Sequence, residues 1–216
     1  MDKSEYERLE RMYVYERGLF EEGCASIAGV DEVGRGSLAG PVVACAVILP
    51  KDCFIENVND SKKLSSKKRV DLTSLIKERA ADIAFGMVMP AEIDAINILN
   101  ASLKAMEMAV DSLKMKPDAV LADGNRGLTF NGRNLSIVKG DQKSLSIASA
   151  SIIAKVFRDS LMRAYDKLFP GYDLSQNKGY GVKKHIEAIK AIGHCPIHRM
   201  SFLKNILNKN ENGNDE

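Results

Sequence analysis

The sequence of 216 residues contains no apolar run that approaches the roughly 18 residues of a membrane-spanning helix. Its first ten residues, MDKSEYERLE, are acidic and polar, and they lack the apolar segment of a signal peptide. These absences predict a cytoplasmic protein with no membrane partner. The balance of 45% hydrophobic and 28% charged residues is that of an ordinary globular chain, and the chain is long enough to bury a full core.

Cysteine is scarce, and its spacing excludes the common metal-binding motifs. The four cysteines are Cys24, Cys45, Cys53 and Cys195. They form no C-x-x-C pair, so in a cytosolic chain we expect free thiols. The segment GHCPIH (193–198) places histidines around one cysteine, but Pro196 interrupts any helical face and no fourth ligand is nearby. We therefore do not interpret this segment as a zinc site.

Net charge does not distinguish between classes of binding partner, because 31 basic residues nearly balance 29 acidic ones. A net charge of +2 is too small to indicate a nucleic-acid partner by itself. Two local basic clusters, at 61–69 and 177–185, contrast with a Glu-rich stretch over the first 22 residues. Each cluster alone is as consistent with a solvated helix face as with a binding surface.

Hydrophobic periodicity predicts an α/β protein. Apolar runs predict strands that end near residue 31 and cover 41–49, 82–89, 118–124 and 135–141. Helical spacing predicts helices over 4–20, from about 65, and over 98–113, 144–169 and 181–193. In the first helix Ser4 and Glu7 fit a capping box, and in the second we expect Val70, Leu75 and Ile76 to be buried. The link between the first two strands is too short for a helical crossover, so the pattern favours an antiparallel pair within a mixed sheet covered by helices.

Three of the predicted strands end at acids. Asp31 and Glu32 follow the first strand, Asp123 ends the fourth and Asp141 ends the fifth. Side chains at one edge of a sheet can converge, yet two like charges 4 Å apart repel by about 4 kcal/mol at an effective dielectric constant near 20. Cations would offset this repulsion, and a set of oxygen ligands without histidine or cysteine favours Mg²⁺ or Mn²⁺. A pair of such ions is typical of sites that displace groups at phosphorus.

Two other interpretations of these residues need weighing. Single Asp-Gly pairs are usually turn residues or helix caps, although adjacent Asp31 and Glu32 behind an apolar strand are less common. Neighbours on a strand point to opposite faces, so both acids reach one site only if the strand ends or distorts there, which the following glycines permit. The spacing of Gly29 and Gly34 also fits a phosphate-binding P-loop, but Arg35 stands where that motif needs lysine, and the acids would repel phosphate.

Several spaced motifs together resemble the ribonuclease HII family, the type 2 ribonucleases H of bacteria. They are GVDEVGRG, DSKKL, ADGN, KGD with SIASASIIAKVFRD, KGYG and HRMSF, and they occur in the family's order over residues 27 to 203. The resemblance implies an RNase H-like mixed five-stranded sheet flanked by helices, with an N-terminal helical extension at 1–23 and C-terminal helices. That extension is followed by a catalytic region at 24–208, and the polar composition of residues 209–216 predicts a disordered tail.

The same resemblance implies the activity and the site. The expected enzyme hydrolyses the RNA strand of RNA–DNA hybrids and cuts 5′ of ribonucleotides embedded in duplex DNA, leaving a 3′-hydroxyl and a 5′-phosphate. The implied catalytic and metal-binding residues are Asp31, Glu32, Asp123 and Asp141, with Mg²⁺ or Mn²⁺ as cofactor. The implied substrate-binding residues are Gly34, Arg35, Gly36, Lys62, Lys63, Lys178 and Tyr180. The partners are hybrid and ribonucleotide-containing duplexes, and we expect a monomer.

This sequence departs from the family pattern at three positions. Ser37 stands where proline is expected, Val182 replaces a threonine, and Met200 replaces a residue that is often basic. The change at Val182 removes one hydroxyl near the substrate, whereas none of the three removes a catalytic group. A non-catalytic hybrid-binding module on the same fold is the alternative, but such a module has no use for clustered acids that face a phosphate backbone.

Overall fold

A mixed five-stranded sheet forms the centre of the molecule in the computed structural model, which describes residues 1–207. The strands are β1 (Ile27–Val33), β2 (Val42–Ile48), β3 (Asp82–Val88), β4 (Ala119–Asp123) and β5 (Arg133–Ile137). The α-helices of the described part are α1 (Lys3–Met12), α2 (Val14–Glu21), α3 (Ser66–Arg79), α4 (Pro90–Ile96), α5 (Ile98–Asp111), α6 (Leu145–Leu168), α7 (Leu174–Asn177), α8 (Lys183–Ile192) and α9 (Met200–Leu207). The predicted α/β class and five-stranded mixed sheet are confirmed.

The strand order is β3-β2-β1-β4-β5. β1 pairs antiparallel with β2, which pairs antiparallel with β3, as the short link between the first two strands predicts. β1 pairs parallel with β4, and β4 pairs parallel with β5. The carboxyl ends of these three parallel strands therefore meet at one edge of the sheet.

Helices cover both faces of the central strands. On one face, Cys45 and Val47 of β2 share a buried cluster with Ile152 and Ile153 of α6. On the other face, the small residues of β2 pack with the alanines of α5. Helix α6 approaches β1 so closely that a Cβ at Gly29 would lie 2.2 Å from the backbone carbon of Ser146. Gly29 is thus a packing residue inside a strand, which excludes the P-loop interpretation.

The N-terminal segment forms two helices rather than one. The chain breaks at Tyr13, whose hydroxyl accepts a hydrogen bond from the backbone N–H of Asp52 at 2.8 Å. The predicted capping box at Ser4 is wrong, because Asp2 is the cap and its Oδ1 accepts from the N–H of Glu5 at 2.8 Å. Leu9 is fully buried in the cluster that includes β2 and α6, so these helices pack on the body of the protein.

A buried carboxylate joins α2 to the beginning of α6. Glu16 Oε1 accepts hydrogen bonds from Ser144 Oγ and from both the backbone N–H and Oγ of Ser146. A carboxylate is favoured there because the first N–H groups of a helix lack helical partners and carry partial positive charge. Burial raises the pKa of Glu16. The N-terminal helices therefore help to fix the helix that follows Asp141.

Some sequence-based boundaries are wrong. β1 does not end near Asp31 but continues through Glu32 to Val33, and β5 ends at Ile137, so Asp141 lies in a 3-10 turn at Gly140–Gln142. Val70 on α3 is exposed, whereas Ile76 is buried as predicted. Within residues 1–207 no helix combines the length and the hydropathy that a membrane crossing requires. The predicted tail at 209–216 lies outside the described residues.

Candidate active site

The acids collect where two parallel strands separate. The β1–β4 ladder ends at the pair Val30 and Ala122, and the next residues along each strand are Asp31 and Asp123. Beyond that pair β1 keeps its antiparallel partner β2, while Asp123 pairs with Ile137 of β5. The separation leaves room between the carboxyl ends of adjacent parallel strands, which is the usual place for ligand sites in open α/β sheets.

Asp31 and Glu32 reach this place from opposite faces of β1. Asp31 pairs with Cys45, which belongs to the α6 side of the core, and Glu32 pairs with Ala44, which belongs to the α5 side. One carboxylate oxygen from each of Asp31, Glu32 and Asp123 nevertheless lies within 4.8 Å of the other two. The strand does not need to end for this to happen, because the side chains converge at the gap beyond the last β1–β4 pair.

Asp141 adjoins this group but is not one of its three members. The backbone N–H of Gly140 donates to Asp123 Oδ1 at 2.6 Å, which ties the turn at 140–142 to the end of β4. Asp141 is buried, and its Oδ2 lies 3.4 Å from Lys62 Nζ. The structure therefore brings together three of the four predicted carboxylates, with the fourth beside them and paired to a lysine.

The site is electrostatically costly without a cation. Burial, followed by the charges of Glu32 and Asp123, raises the pKa of Asp31 well above its ordinary value. Burial also raises the pKa of Glu32, and the Arg35 guanidinium opposes that shift. Burial raises the pKa of Asp141 as well, against the opposing charge of Lys62. The fold thus maintains acids whose charged forms are disfavoured unless positive charge is added.

These residues fit a hard divalent cation. Every ligand offered is a carboxylate oxygen, which suits Mg²⁺ or Mn²⁺. Glu32 Oε1 is 3.1 Å from Arg35 Nη1, but the buried Oε2 of Glu32 has no hydrogen-bond partner among the described residues. In that part of the chain, Asp31, Glu32 and Asp123 form the only converging group of three potential ligand side chains.

The predicted substrate-reading turn, residues 34–36, follows β1 directly. Gly34 has φ +95°, and a Cβ there would lie 2.2 Å from Arg158 Nε, so both backbone conformation and packing require glycine. The backbone N–H groups of Arg35 and Gly36 donate to no described residue. The turn therefore presents backbone donors beside the carboxylates, as a site that recognises a hydroxyl group needs.

Two buried arginines that were not predicted from the sequence bind the backbone of this turn and of the segments beside it. Arg199 donates to the carbonyl oxygens of Gly34, Arg35 and Gly40, at 2.7 to 3.0 Å. Arg158 donates to the carbonyl oxygens of residues 39, 41 and 178, at 2.9 to 3.0 Å. Both side chains are fully buried, and burial lowers the pKa of Arg199 to about 9. Their place in the motifs FRD and HRMSF was visible in the sequence, but their backbone partners were not.

Tyr180 and Lys178 lie next to this turn. Tyr180 forms a β-bridge with Ser37, and its ring centre is 5.7 Å from Arg158 Cζ and 5.9 Å from Lys155 Nζ. The backbone carbonyl of Lys178 accepts a hydrogen bond from Arg158, and its side-chain ammonium group donates to the carbonyl oxygen of Ser175. Lys178 is thus engaged with the loop, whereas the ring of Tyr180 is partly exposed beside the turn.

Lys62 and Lys63 occupy a 3-10 turn, Ser61–Lys63, beside Asp141. Asp60 caps the turn, with Oδ1 accepting from the N–H of Lys62 and Oδ2 accepting from Gln142 Nε2. Both lysine side chains are exposed, but Lys62 alone contacts a carboxylate of the site. Lys63 lines a neighbouring groove instead.

A family model, a curated protein and a solved structure that resemble this chain are all described as type 2 ribonucleases H. The model of the family described as Ribonuclease HII matches residues 28–205. Ribonuclease HII of Caldanaerobacter subterraneus subsp. tengcongensis is 54% identical over 203 residues, which cover 94% of this chain and 84% of that protein. The crystal structure of ribonuclease H2 from Pyrococcus horikoshii OT3 is similar with a TM-score of 0.69 and 25% identity, over 87% of this chain and 99% of that one.

A more distant structure, that of Bst-RNase HIII in complex with Mn²⁺, shares the fold with a TM-score of 0.55 and 20% identity. The likeness covers 78% of this chain and 63% of that one.

Proposed function

The chain belongs to the ribonuclease HII family, and we propose that it hydrolyses the RNA strand of RNA–DNA hybrids and cuts 5′ of ribonucleotides embedded in duplex DNA. The products are a 3′-hydroxyl and a 5′-phosphate. The observation that carries this proposal is the meeting of the carboxylates of Asp31, Glu32 and Asp123 beside a turn with free backbone donors. The carboxylates suit chemistry at a phosphate, and the turn suits recognition of a ribose.

Asp31, Glu32, Asp123 and Asp141 are proposed to hold a pair of divalent ions, Mg²⁺ or Mn²⁺. Ions bound there would supply Lewis-acid stabilisation of the charge that develops at phosphorus and would ease deprotonation of the attacking water. The protein provides buried acids with raised pKa values, whose charged forms gain most from a cation. The Mn²⁺ complex of Bst-RNase HIII supports this cofactor class through a shared fold.

The residues around the carboxylates position the substrate. The N–H groups of Arg35 and Gly36 are free to bind the 2′-hydroxyl, the group that distinguishes RNA from DNA. The exposed ammonium groups of Lys62 and Lys63 hold backbone phosphates without reading base sequence. The ring of Tyr180 packs on the deoxyribose that follows the ribonucleotide, so that a junction is recognised as well as a ribose.

A labelled DNA duplex with a single ribonucleotide tests this function against the binding-module alternative. We expect one cut, mapped to the bond 5′ of the ribonucleotide, with Mg²⁺ or Mn²⁺, and none in EDTA. A duplex of the same sequence without the ribonucleotide is the control and should stay intact. Tight binding to the ribonucleotide duplex without cleavage in either metal would favour the non-catalytic module.

We also propose that the chain acts as a monomer in the cytoplasm, with residues 1–23 as an extension of the catalytic region. The carboxylate group is complete within one chain, so the proposed chemistry does not require a partner subunit. Light scattering at the concentration used for the cleavage assay checks the monomer.

A further inference from the structure

A basic cavity lies beside the turn that carries Asp141. It has a volume of about 470 Å³ and lies between the N-terminal helices and the two 3-10 turns. Four cationic side chains line it: Arg8, Arg11, Lys63 and Lys143. No aspartate or glutamate is among its lining residues. We call this cavity the N-terminal groove, and its composition suits a polyanion.

Three of its four cations are available to a ligand. Arg11, Lys63 and Lys143 are exposed and form no ion pair with a described carboxylate. Arg8 is different, because its guanidinium already donates to Glu5 and to the carbonyl oxygen of Val58. Arg8 therefore builds the wall of the groove, whereas the other three cations present their charge.

The wall is fixed before any ligand arrives. Arg8 Nη2 is 2.8 Å from the carbonyl oxygen of Val58, and Glu5 Oε1 accepts from the N–H of Asn57 at 2.6 Å. These hydrogen bonds attach α1 to the segment that leads into the turn at 61–63. A ligand would thus meet cations already arranged, and less side-chain ordering would oppose binding.

The groove adjoins the candidate active site through the two 3-10 turns, at 61–63 and 140–142. Lys63 follows Lys62, whose ammonium group contacts Asp141, and Lys143 lies two residues after Asp141. Asp60 joins the two turns, because it accepts hydrogen bonds from Lys62 and Gln142 at once. A strand that has a phosphate at the carboxylates would have further phosphates a few ångströms away along its backbone, on the order of one every 3.4 Å of helix rise.

From this arrangement we propose that the N-terminal groove binds phosphates of the same duplex, on one side of the cleavage point, and that α1 is part of the substrate path. The proposal rests on the proposed function for the identity of the duplex. It assigns a role to Arg11 and Lys143, of which Arg11 precedes the residues that the family model matches. Arg11 and Lys143 are binding residues here, distinct from the carboxylates.

Binding of an inactive protein tests the groove apart from catalysis. On an Asp123→Asn background with Mg²⁺, we compare Arg11→Ala/Lys143→Ala with the control Lys114→Ala/Lys116→Ala by fluorescence anisotropy on a single-ribonucleotide duplex. The control also removes two exposed cationic side chains, but these lie just before β4, at the opposite edge of the sheet from the carboxylates. In the groove variant alone, we expect the slope of log K against log salt to become shallower by about 0.9 for each phosphate that the protein no longer neutralises.

Duplexes extended on one side of the ribonucleotide show on which side of the cleavage point the groove binds. The affinity loss of the groove variant should appear when the duplex is lengthened on one side and be absent when it is lengthened on the other. Arg11→Glu should give a larger loss on the same side, and circular dichroism should show that all variants are folded.

Three results would overturn the groove proposal. Equal losses in the groove and control variants would indicate general charge, and an unchanged slope would show that the cations are only solvated. Binding of inorganic phosphate that Arg11→Ala abolishes, with duplex affinity unchanged, would indicate a small-anion site instead. In each case the wild-type protein would still cleave a short duplex. Failure of the groove proposal can therefore be distinguished from failure of the proposed function.

Discussion

Arg199 donates a hydrogen bond from Nη2 to the carbonyl oxygen of Gly34 at 2.7 Å, across 165 positions of the chain. Its other guanidinium nitrogen, Nη1, donates to the carbonyl oxygen of Arg35 at 2.8 Å. The carbonyl groups of Gly34 and Arg35 are therefore engaged inside the protein, while the N–H groups of Arg35 and Gly36 have no described acceptor. A residue near the end of the chain thus sets the orientation of the turn that we propose reads the ribose.

Arg199→Lys should separate this positioning role from folding. A lysine keeps the charge but cannot span three carbonyl oxygens with a planar fork, so the turn should lose its fixed orientation. We expect a folded protein whose kcat/KM on a single-ribonucleotide duplex falls roughly 10- to 100-fold, the scale of a small misplacement near a reacting group. The preference in binding for the ribonucleotide duplex over all-DNA duplex should fall too.

The control for Arg199→Lys is Arg163→Lys, the same substitution at an exposed position of α6. It should leave both the activity and the preference for a ribonucleotide unchanged. A folded Arg199→Lys protein with wild-type preference would show that the arginine is only a core residue.

Metal-free stability should depend on pH through Asp31. Burial and the neighbouring acids raise its folded-state pKa above the unfolded value, so the free energy of unfolding falls as pH rises from about 4 through that raised pKa. Asp31→Asn removes this loss. In EDTA, its melting temperature at pH 8 should equal or exceed that of the wild type, and the difference should shrink towards pH 4.

Added Mg²⁺ completes the test of Asp31. It should raise the melting temperature of the wild type more than that of Asp31→Asn, because the variant lacks one of the carboxylates that we propose as metal ligands. A variant that is less stable than the wild type at pH 8 in EDTA would show that the Asp31 carboxylate stabilises the fold by other contacts.

The strands of the sheet and the acids of the site could be predicted from the sequence, because strand patterns and short motifs consist of neighbouring residues. The sequence placed Asp31 at a strand end because it could not show that β2 continues to pair with β1 through Val33. It also could not show that Asp141 lies in a turn tied to Asp123 through Gly140. The partners of Arg199 and Glu16 were invisible for the same reason, since each hydrogen bond joins segments more than 100 residues apart.

Stability should fall in mild acid through His198. This buried ring has its Nε2 3.1 Å from that of His185, and burial, then the charge of His185, lowers the pKa of His198 to about 4. The folded-state pKa is below the unfolded value of about 6.5, so stability is complete above pH 6.5 and is lost as pH falls towards 4. By pH 5 the loss from this residue is roughly 2 kcal/mol.

Urea unfolding at pH 7.5 and pH 5.0 measures this loss. His198→Gln should reduce the pH dependence by about that amount, because the variant has no imidazole at this buried position to protonate. Equal pH dependence in the wild type and in His198→Gln would contradict the lowered pKa.

Tyr180 should matter more for a junction than for a continuous hybrid. The deoxyribose after a single ribonucleotide has no 2′-hydroxyl, so a ring can pack flush against it, whereas a ribose would present a hydroxyl group to the ring face. Tyr180→Ala should therefore lose more kcat/KM on a single embedded ribonucleotide than on a continuous RNA–DNA hybrid. Tyr180→Phe, the matched control, should keep most activity on both substrates because it keeps the ring.

Equal losses of Tyr180→Ala on the two substrates would assign Tyr180 to general binding or to the packing of its loop. The bridge between Tyr180 and Ser37 makes that outcome measurable, because a loop defect would also lower the melting temperature.

The most direct test of the central claim compares two aspartates at opposite ends of one strand. Asp123 ends β4 in the carboxylate group, whereas Asp118 precedes β4 and accepts hydrogen bonds from the N–H groups of Ala25 and Ser26. On a labelled duplex with one ribonucleotide and saturating Mg²⁺, Asp123→Asn should lower kcat by roughly 100-fold or more with the fold intact, while Asp118→Asn should cut at the wild-type rate. Wild-type kcat in Asp123→Asn would remove the carboxylate group from the chemistry and contradict the account.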